Sequence, residues 1–346
     1  AFLMAEFVGV PYIDIVKAAV VPALLYFTGV WLGVHFEAKR SNLKGLPREQ
    51  LPKFGRLFIE RGHLALPLVV IVYLLVSGYT PMRAALVAIV LSIVCSALRK
   101  STRMKPIEIV RGLDKGARNV LSVLVACASA GIVIGVVTKT GVGLKLASGL
   151  LALSGGLLLP TLFFTMITAI VLGMGVPTTA NYVITSTIAA PAIIQMGVPV
   201  LAAHMFVFYF GIIADVTPPV ALAAFAGAGI AGGNALKTGI NASKLAIAAF
   251  IIPYMFVLSP VILMVDATVG NVLLATVTAI VGMVALSSAL IGYLVDNCRA
   301  YERIILIAGG LMMIKPGMLT DIAGFVLFAL VLVSQWQRKK AQRAAA

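Results

Sequence analysis

Apolar residues occupy this chain in long unbroken stretches, without the alternation of a strand or the single apolar stripe of a soluble helix. A helix needs roughly 20 apolar residues to cross a bilayer. Stretches near that length are predicted as helices at 14–35, 63–78, 81–98, 118–137, 156–172, 245–264 and 269–294. Shorter helical pieces are predicted at 141–154, 178–195, 201–214, 221–230, 303–314 and 318–334. The turn SGYTP joins 63–78 and 81–98 into a hairpin, and GGNALKTGINASK at 232–244 reads as a loop. The pattern predicts an all-α polytopic membrane protein.

Two interruptions break that pattern where a lipid-facing helix would tolerate none. The first is LGMGVPTTANYV at 172–183, and the second is DVTPPVA at 215–221. Irregular backbone at membrane depth is stable only where protein or a water-filled cavity surrounds it, because each unsatisfied peptide group costs several kcal/mol in lipid. Interrupted hydrophobic segments are also the best sequence pointer to the ion and substrate site of a secondary transporter. Unwound carbonyls there offer hard oxygens to Na⁺, and half-helix N-termini offer N–H groups to an anion.

In the first break, Gly173, Gly175 and Pro177 end one helix, and Thr178 is a favoured N-cap for the next. Thr178, Asn181, Tyr182 and Thr185 then share one helical stripe suited to line a cavity, with Thr179 and Ser186 beside it. Small polar residues also bond across helices as packing devices, which is the simpler reading for the flanking hydroxyls. In the second break, Pro218 and Pro219 remove two consecutive N–H donors, so carbonyls of the preceding turn are expected to be left unpaired. Asp215 is the one carboxylate between Asp114 and Asp266, and an intramembrane acid is a functional candidate by default. The alternative for Asp215 is a helix-end residue reaching headgroups or a lysine. His204 is expected to serve a neighbouring backbone group, and Phe206, Phe208, Tyr209 and Phe210 to be packing. Asp14 lies three residues before Lys17 on one helix face, a pairing that eases burial of the lysine.

Composition agrees with a membrane protein: of 346 residues, 61% are hydrophobic and 11% charged, with a mean hydropathy of +1.08. The net charge of +15 would suggest nucleic acid, but its placement argues otherwise. Lys39, Arg40, Lys44, Arg48, Lys53, Arg56 and Arg61 fall in one segment between spans, and Arg99, Lys100, Arg103, Lys105, Arg111, Lys115 and Arg118 in another. That is the positive-inside distribution, which sets both segments and the basic tail (Arg338, Lys339, Lys340, Arg343) in the cytoplasm. Membrane lipids, and no nucleic acid, are the expected partners of this charge. Cys95, Cys127 and Cys298 are too scattered for a disulfide framework or zinc site, as are the three histidines for a ligand set.

LGMGVPTTANYV, then AAPAIIQMGVP, then AAHMFVFYFGIIADVTPPVALAAFAGAGIAGGNALKTG resemble the second half of the large permease of tripartite ATP-independent periplasmic (TRAP) transporters. The fused type that works with TAXI-type binding proteins is the nearest pattern. The resemblance runs from Ala1 to about Leu263, with 172–238 its specific part. It implies an inverted-repeat, elevator-type secondary transporter with broken helices and re-entrant hairpins, driven by Na⁺ as coupling ion and using no other cofactor. A periplasmic TAXI-type substrate-binding protein would deliver a small organic anion across a bacterial or archaeal inner membrane. The ion and substrate region would comprise Gly173, Gly175, Pro177, Thr178, Thr179 and Asn181 in the first break. In the second it would comprise Asp215, Thr217, Pro218 and Pro219, with Na⁺ at Gly173, Thr178 and Thr217. The family pattern places a first repeat upstream of Ala1, so the chain reads as the C-terminal part of a longer permease. AFLMAEFVGVPYIDIVKAAVVPALLYF at 1–27 against AFAGAGIAGGNALKTGINASKLAIAAFIIPYMF at 224–256 is a gapped internal match that suits such a repeat: both run Ala-Phe, a small-residue stretch, a Lys, then an apolar span with Pro and an aromatic end.

The expected organisation is the end of a first repeat with its transmembrane helix (1–36), a basic loop (37–62) and transmembrane helices with a basic loop at 99–118 (63–140). The transport region (141–238), one further helix (239–268) and a C-terminal group with a basic tail (269–346) follow. A channel would use similar breaks. An intramembrane enzyme would need a second acid, HExxH, a Ser–His pairing or an Mg²⁺-binding acid cluster, and these are missing. The last helices, 269–334, show no site-like chemistry and read as structural.

Overall fold

The computed structural model describes residues 1–345 except Lys44, Leu46, Arg48, Gln50, Pro52, Gly175, Val220, Asp266, Lys315 and Pro316. Among the described residues every named element is helical. In chain order these are α1 (Phe2–Val8), α2 (Tyr12–Arg40), α3 (Phe54–Arg61), α4 (Leu66–Val76), α5 (Pro81–Ala97), α6 (Pro106–Thr140), α7 (Val142–Leu153), α8 (Leu158–Gly173) and α9 (Thr178–Ile188). They continue as α10 (Ala190–Ile194), α11 (Val200–Ile213), α12 (Leu222–Ala231), α13 (Ala235–Leu245), α14 (Ile247–Leu258), α15 (Val269–Ile291), α16 (Ala300–Met312) and α17 (Met318–Ala345). Five helical stretches among the described residues are long and apolar enough to cross a membrane: Tyr12–Arg40, Phe58–Val76, Ala235–Leu258, Val269–Ile291 and Met318–Gln342. The chain is an all-helical, multi-pass membrane protein.

Two units are distinguished, residues 1–16 with 44–125, and residues 17–43 with 126–346. In the first, α4 and α5 pack as a hairpin. Thr80 starts α5 by accepting the N–H of Arg83, with Pro81 in the first turn, where a missing N–H costs nothing.

In the second unit α11 is central, packed against α8, α9, α10 and α14. Its sequence is apolar all round, as a helix buried on every side must be. Phe206 and Phe210 are fully buried and meet edge to face at 4.8 Å, with Tyr254 beside both. The lower half of α2 lies on the α13–α14 junction: a Cβ on Gly29 would collide with Ala248, and one on Gly33 would press on Leu245.

Local chemistry moves several boundaries from the sequence expectation. The segment at 232–244 is mostly helix α13, because Asn234 caps it by accepting the N–H of Lys237. α6 begins at Pro106, well inside the basic segment. Glu108 there accepts the Lys105 N–H at 2.7 Å and stabilises the first turn. The stretch 178–195 divides into α9 and α10, with Pro191 in the first turn of α10.

Candidate functional site

α8 carries Thr161, Thr165, Ala169 and Gly173 at four-residue spacing, all buried. This small-residue stripe lets the helix lie close to its neighbours, as such stripes do in membrane bundles. Gly173 is the last residue of α8, and a Cβ there would stand 2.7 Å from Asn181 Nδ2, 2.8 Å from the Gly211 carbonyl and 3.1 Å from Ala214 Cβ. Gly211 is equally constrained, since its Cβ would stand 2.8 Å from Asn181 Nδ2 and 3.0 Å from Oδ1.

Three facts follow. The end of α8 at the first break touches Ala214, where the second break starts. Asn181, in the first turns of α9, is wedged between Gly173 and Gly211. Its side chain fits because both partners are glycines. Asn181 is 2% exposed, yet its Oδ1 has no hydrogen-bond partner. Thr165 Oγ1 on α8 is likewise buried and unpartnered. Buried polar groups are bonded in the great majority of cases, so an orphaned amide oxygen where two interrupted helices meet calls for a ligand, a water or a mechanistic role.

Thr178 is the first helical residue of α9 and not its cap. Pro177 holds the cap position with an extended ψ of 140° and no side-chain bond. Proline at that position fixes φ and leaves no hydroxyl to close the helix end, so the first N–H groups of α9 stay available. Thr178 is exposed and Thr179 half-buried beside them. Gly175 lies outside the described residues. Asn181, Tyr182, Thr185 and Ser186 are buried. Thr185 and Ser186 donate back to carbonyls of their own helix, Asn181 O and Val183 O. Tyr182 Oη lies 2.7 Å from His204 Nδ1.

The second break is resealed more fully than two prolines suggest. After Ile213 the chain tightens into a 3₁₀ turn, Ala214–Val216. The Thr217 N–H then reaches the Ala214 carbonyl, and the Thr217 hydroxyl donates to Ile213 O at 2.8 Å. Ser243 of α13 donates to Val216 O at 3.1 Å. The expectation of unpaired carbonyls therefore fails at Ile213, Ala214 and Val216, two of them met by hydroxyls and one by the Thr217 N–H of the tightened turn. Donation leaves the lone pairs of Thr217 Oγ1 free to accept or to coordinate. Asp215 and Pro218 are half-buried, and Pro219 is exposed.

The structure thus brings Gly173 and Asn181 together with Gly211 and Ala214, and sets Asp215 and Thr217 on the adjoining turn. Gly211, Thr165 and Ser243 were missed in the sequence. Gly211 did carry a signal, since a glycine inside an apolar helix costs about 1 kcal/mol and usually marks close approach.

The profile described as "Tripartite ATP-independent periplasmic transporter, DctM component" matches residues 1–271. The chain belongs to the DctM family. It is therefore a TRAP transporter permease and not an enzyme, and such a permease works with a substrate-binding protein and a small solute. Residues 272–324 match a second family, a domain of unknown function designated DUF3394. No curated protein matches the chain. No solved structure matches it either. The permease match includes both breaks, and the second match begins inside α15.

Proposed function

We propose that this permease couples Na⁺ entry to import of a small organic anion handed over by a TAXI-type binding protein, and that the two breaks form its ion and solute region. The observation that carries the reading is Asn181, wedged between the end of α8 at the first break and α11 just ahead of the second, whose buried Oδ1 has no protein partner. Amide, hydroxyl and carbonyl oxygens are ligands suited to a hard monovalent cation. Thr178 and Thr217 add hydroxyl oxygens, and the uncapped start of α9 presents N–H groups suited to a carboxylate.

The family match and the positive-inside placement of charge support an inverted-repeat, elevator-type transporter in an inner membrane, with the basic segments and C-terminus in the cytoplasm.

The test is uptake of labelled organic acids into proteoliposomes holding the permease and its binding protein, with and without a Na⁺ gradient. Thr178→Val/Thr217→Val and Asn181→Leu should fold and lose Na⁺-dependent uptake by about tenfold or more, as for removal of a coupling ligand worth 1.4 kcal/mol or more. Full Na⁺-driven uptake in both well-folded variants would remove the breaks from the ion site.

A further inference from the structure

The two basic segments of the sequence, which the transport reading leaves unused, meet at one end of the α4–α5 hairpin. Arg61 closes α3 and Arg99 follows α5, and both line a cavity of about 440 Å³ together with Glu60, Leu64, Ser101 and Thr102. Arg99 is held in place, its Nη1 donating to Glu60 O at 3.1 Å. Thr102 Oγ1 lies 3.0 Å from Ser96 O and 3.3 Å from Arg99 O, covering carbonyls at the end of α5 that would otherwise repel an anion. His63 Nε2 sits 3.3 Å from the same hydroxyl, while its buried Nδ1 has no partner. Lys100 and Arg103 flank the rim in sequence. Two guanidiniums outweigh the single carboxylate of Glu60.

The place in the fold selects the ligand. Arg61 ends α3 near the start of the apolar stretch Phe58–Val76, and Arg99 lies just past α5, so the cavity opens at one end of that stretch, where a bilayer surface would be. Guanidiniums bind phosphate oxygens in a two-pronged fashion, and basic pockets at helix ends near the bilayer surface recognise anionic headgroups. We propose that Arg61 and Arg99, with the Ser101 hydroxyl, hold the phosphodiester of an anionic phospholipid of the phosphatidylglycerol class. The site is separate from the helix breaks and does not depend on the transport reading.

The full chain would be purified into phosphatidylcholine nanodiscs and titrated with phosphatidylglycerol, with bound lipid counted by native mass spectrometry. Arg61→Gln/Arg99→Gln should weaken phosphatidylglycerol binding by about tenfold or more, each basic residue near a membrane surface contributing severalfold. Arg111→Gln/Lys115→Gln removes equal charge from exposed positions on α6 outside the cavity, and should change binding by less than about twofold. Equal loss in both pairs would mean diffuse attraction and would overturn the site. Should the glutamine pair fail to fold, Arg61→Lys/Arg99→Lys keeps the charge and removes the planar fork. Severalfold weaker binding is expected there, and wild-type binding would overturn the proposal. Inorganic phosphate is the remaining arm: if it binds the wild type as tightly as the lipid, the pocket serves free phosphate and the lipid assignment falls.

Discussion

Within the second unit, Asn181 and Glu302 are buried polar side chains treated in opposite ways. Around the breaks, Asn181 Oδ1 and Thr165 Oγ1 are buried without partners. In the C-terminal group, which pairs α15 with α16 and α16 with α17, a fully buried Glu302 is bonded from three sides. It accepts Arg299 N at 2.8 Å, Gln335 Nε2 at 2.9 Å and Arg338 Nη1 at 3.1 Å. Gln335 Oε1 in turn accepts the N–H groups of Val295 and Asp296. Arg338 also holds Asp296 Oδ2 and Asn297 O, and Lys339 holds Val295 O. The hairpin between α15 and α16 is clamped shut by side chains of α17. The pinch at Asn181 leaves an oxygen free, whereas the cluster around Glu302 pairs its charges, even though Ser287 Oγ on α15 and Asp321 Oδ1 on α17 are also buried without partners. Orphaned oxygens cost stability and fit a region that must accept something. A satisfied network fits a brace.

The largest effect should come from breaking the brace. Arg338→Met removes the cation beside a carboxylate that is 0% exposed, and stranding a buried charge costs about 3–5 kcal/mol. Thermal unfolding of the purified permease should drop accordingly. Cys298 offers a second readout. It is half-buried, accepts from Gln335 Nε2 at 3.3 Å, and burial holds its thiol above the usual cysteine range. Alkylation at Cys298, followed by peptide mass spectrometry, should be slow in the wild type and fast in Arg338→Met. Uptake per folded molecule should be unchanged. A parallel loss of transport would show that the C-terminal group belongs to the transport machinery and would dissolve the contrast.

Next in size is Gly173→Ala. The added methyl meets the Gly211 carbonyl at 2.8 Å, and backbone cannot yield as a flexible side chain can. Overpacking of this kind costs about 1–3 kcal/mol. Here it should also displace Asn181, so uptake should fall further than stability. Gly227→Ala, in open space on α12, is the control and should leave both intact. If Gly173→Ala loses stability alone, the pinch is packing and nothing more.

The breaks were legible in the sequence because glycine and proline cannot hide in an apolar run: 172–183 and 215–221 stand out against their surroundings. Their meeting was not legible, since it depends on α11 packing against both α8 and α9, a long-range fact that no local pattern encodes. The stripe of Thr178, Asn181, Tyr182 and Thr185 shows the limit. Helical spacing correctly gathers those residues on one face, but spacing is silent on whether that face meets a cavity or another helix, and the structure packs most of it. The C-terminal helices show a second limit. They read as structural, but the network behind that role is hidden because Glu302 stands 33 positions from Gln335 and 36 from Arg338, and only folding joins them.

The smallest effect tests how the second break is held. Ser243 is half-buried on α13 and donates to Val216 O and to Gly239 O, each at 3.1 Å. A hydroxyl cannot donate fully to both, so Ser243→Ala removes about one bond, worth on average about 0.6 kcal/mol in membrane helices. Stability should barely move. The consequence should be local, because α13 contacts the break in few other ways: a Cβ on Gly239 would stand 3.2 Å from Pro218 and 3.4 Å from Ala221. Amide hydrogen exchange over 214–222 should quicken several-fold in Ser243→Ala, and Ser243→Thr should restore it. If exchange there is unaltered, the Val216 carbonyl is held without α13, and the break is rigid through its prolines and the Thr217 hydroxyl alone.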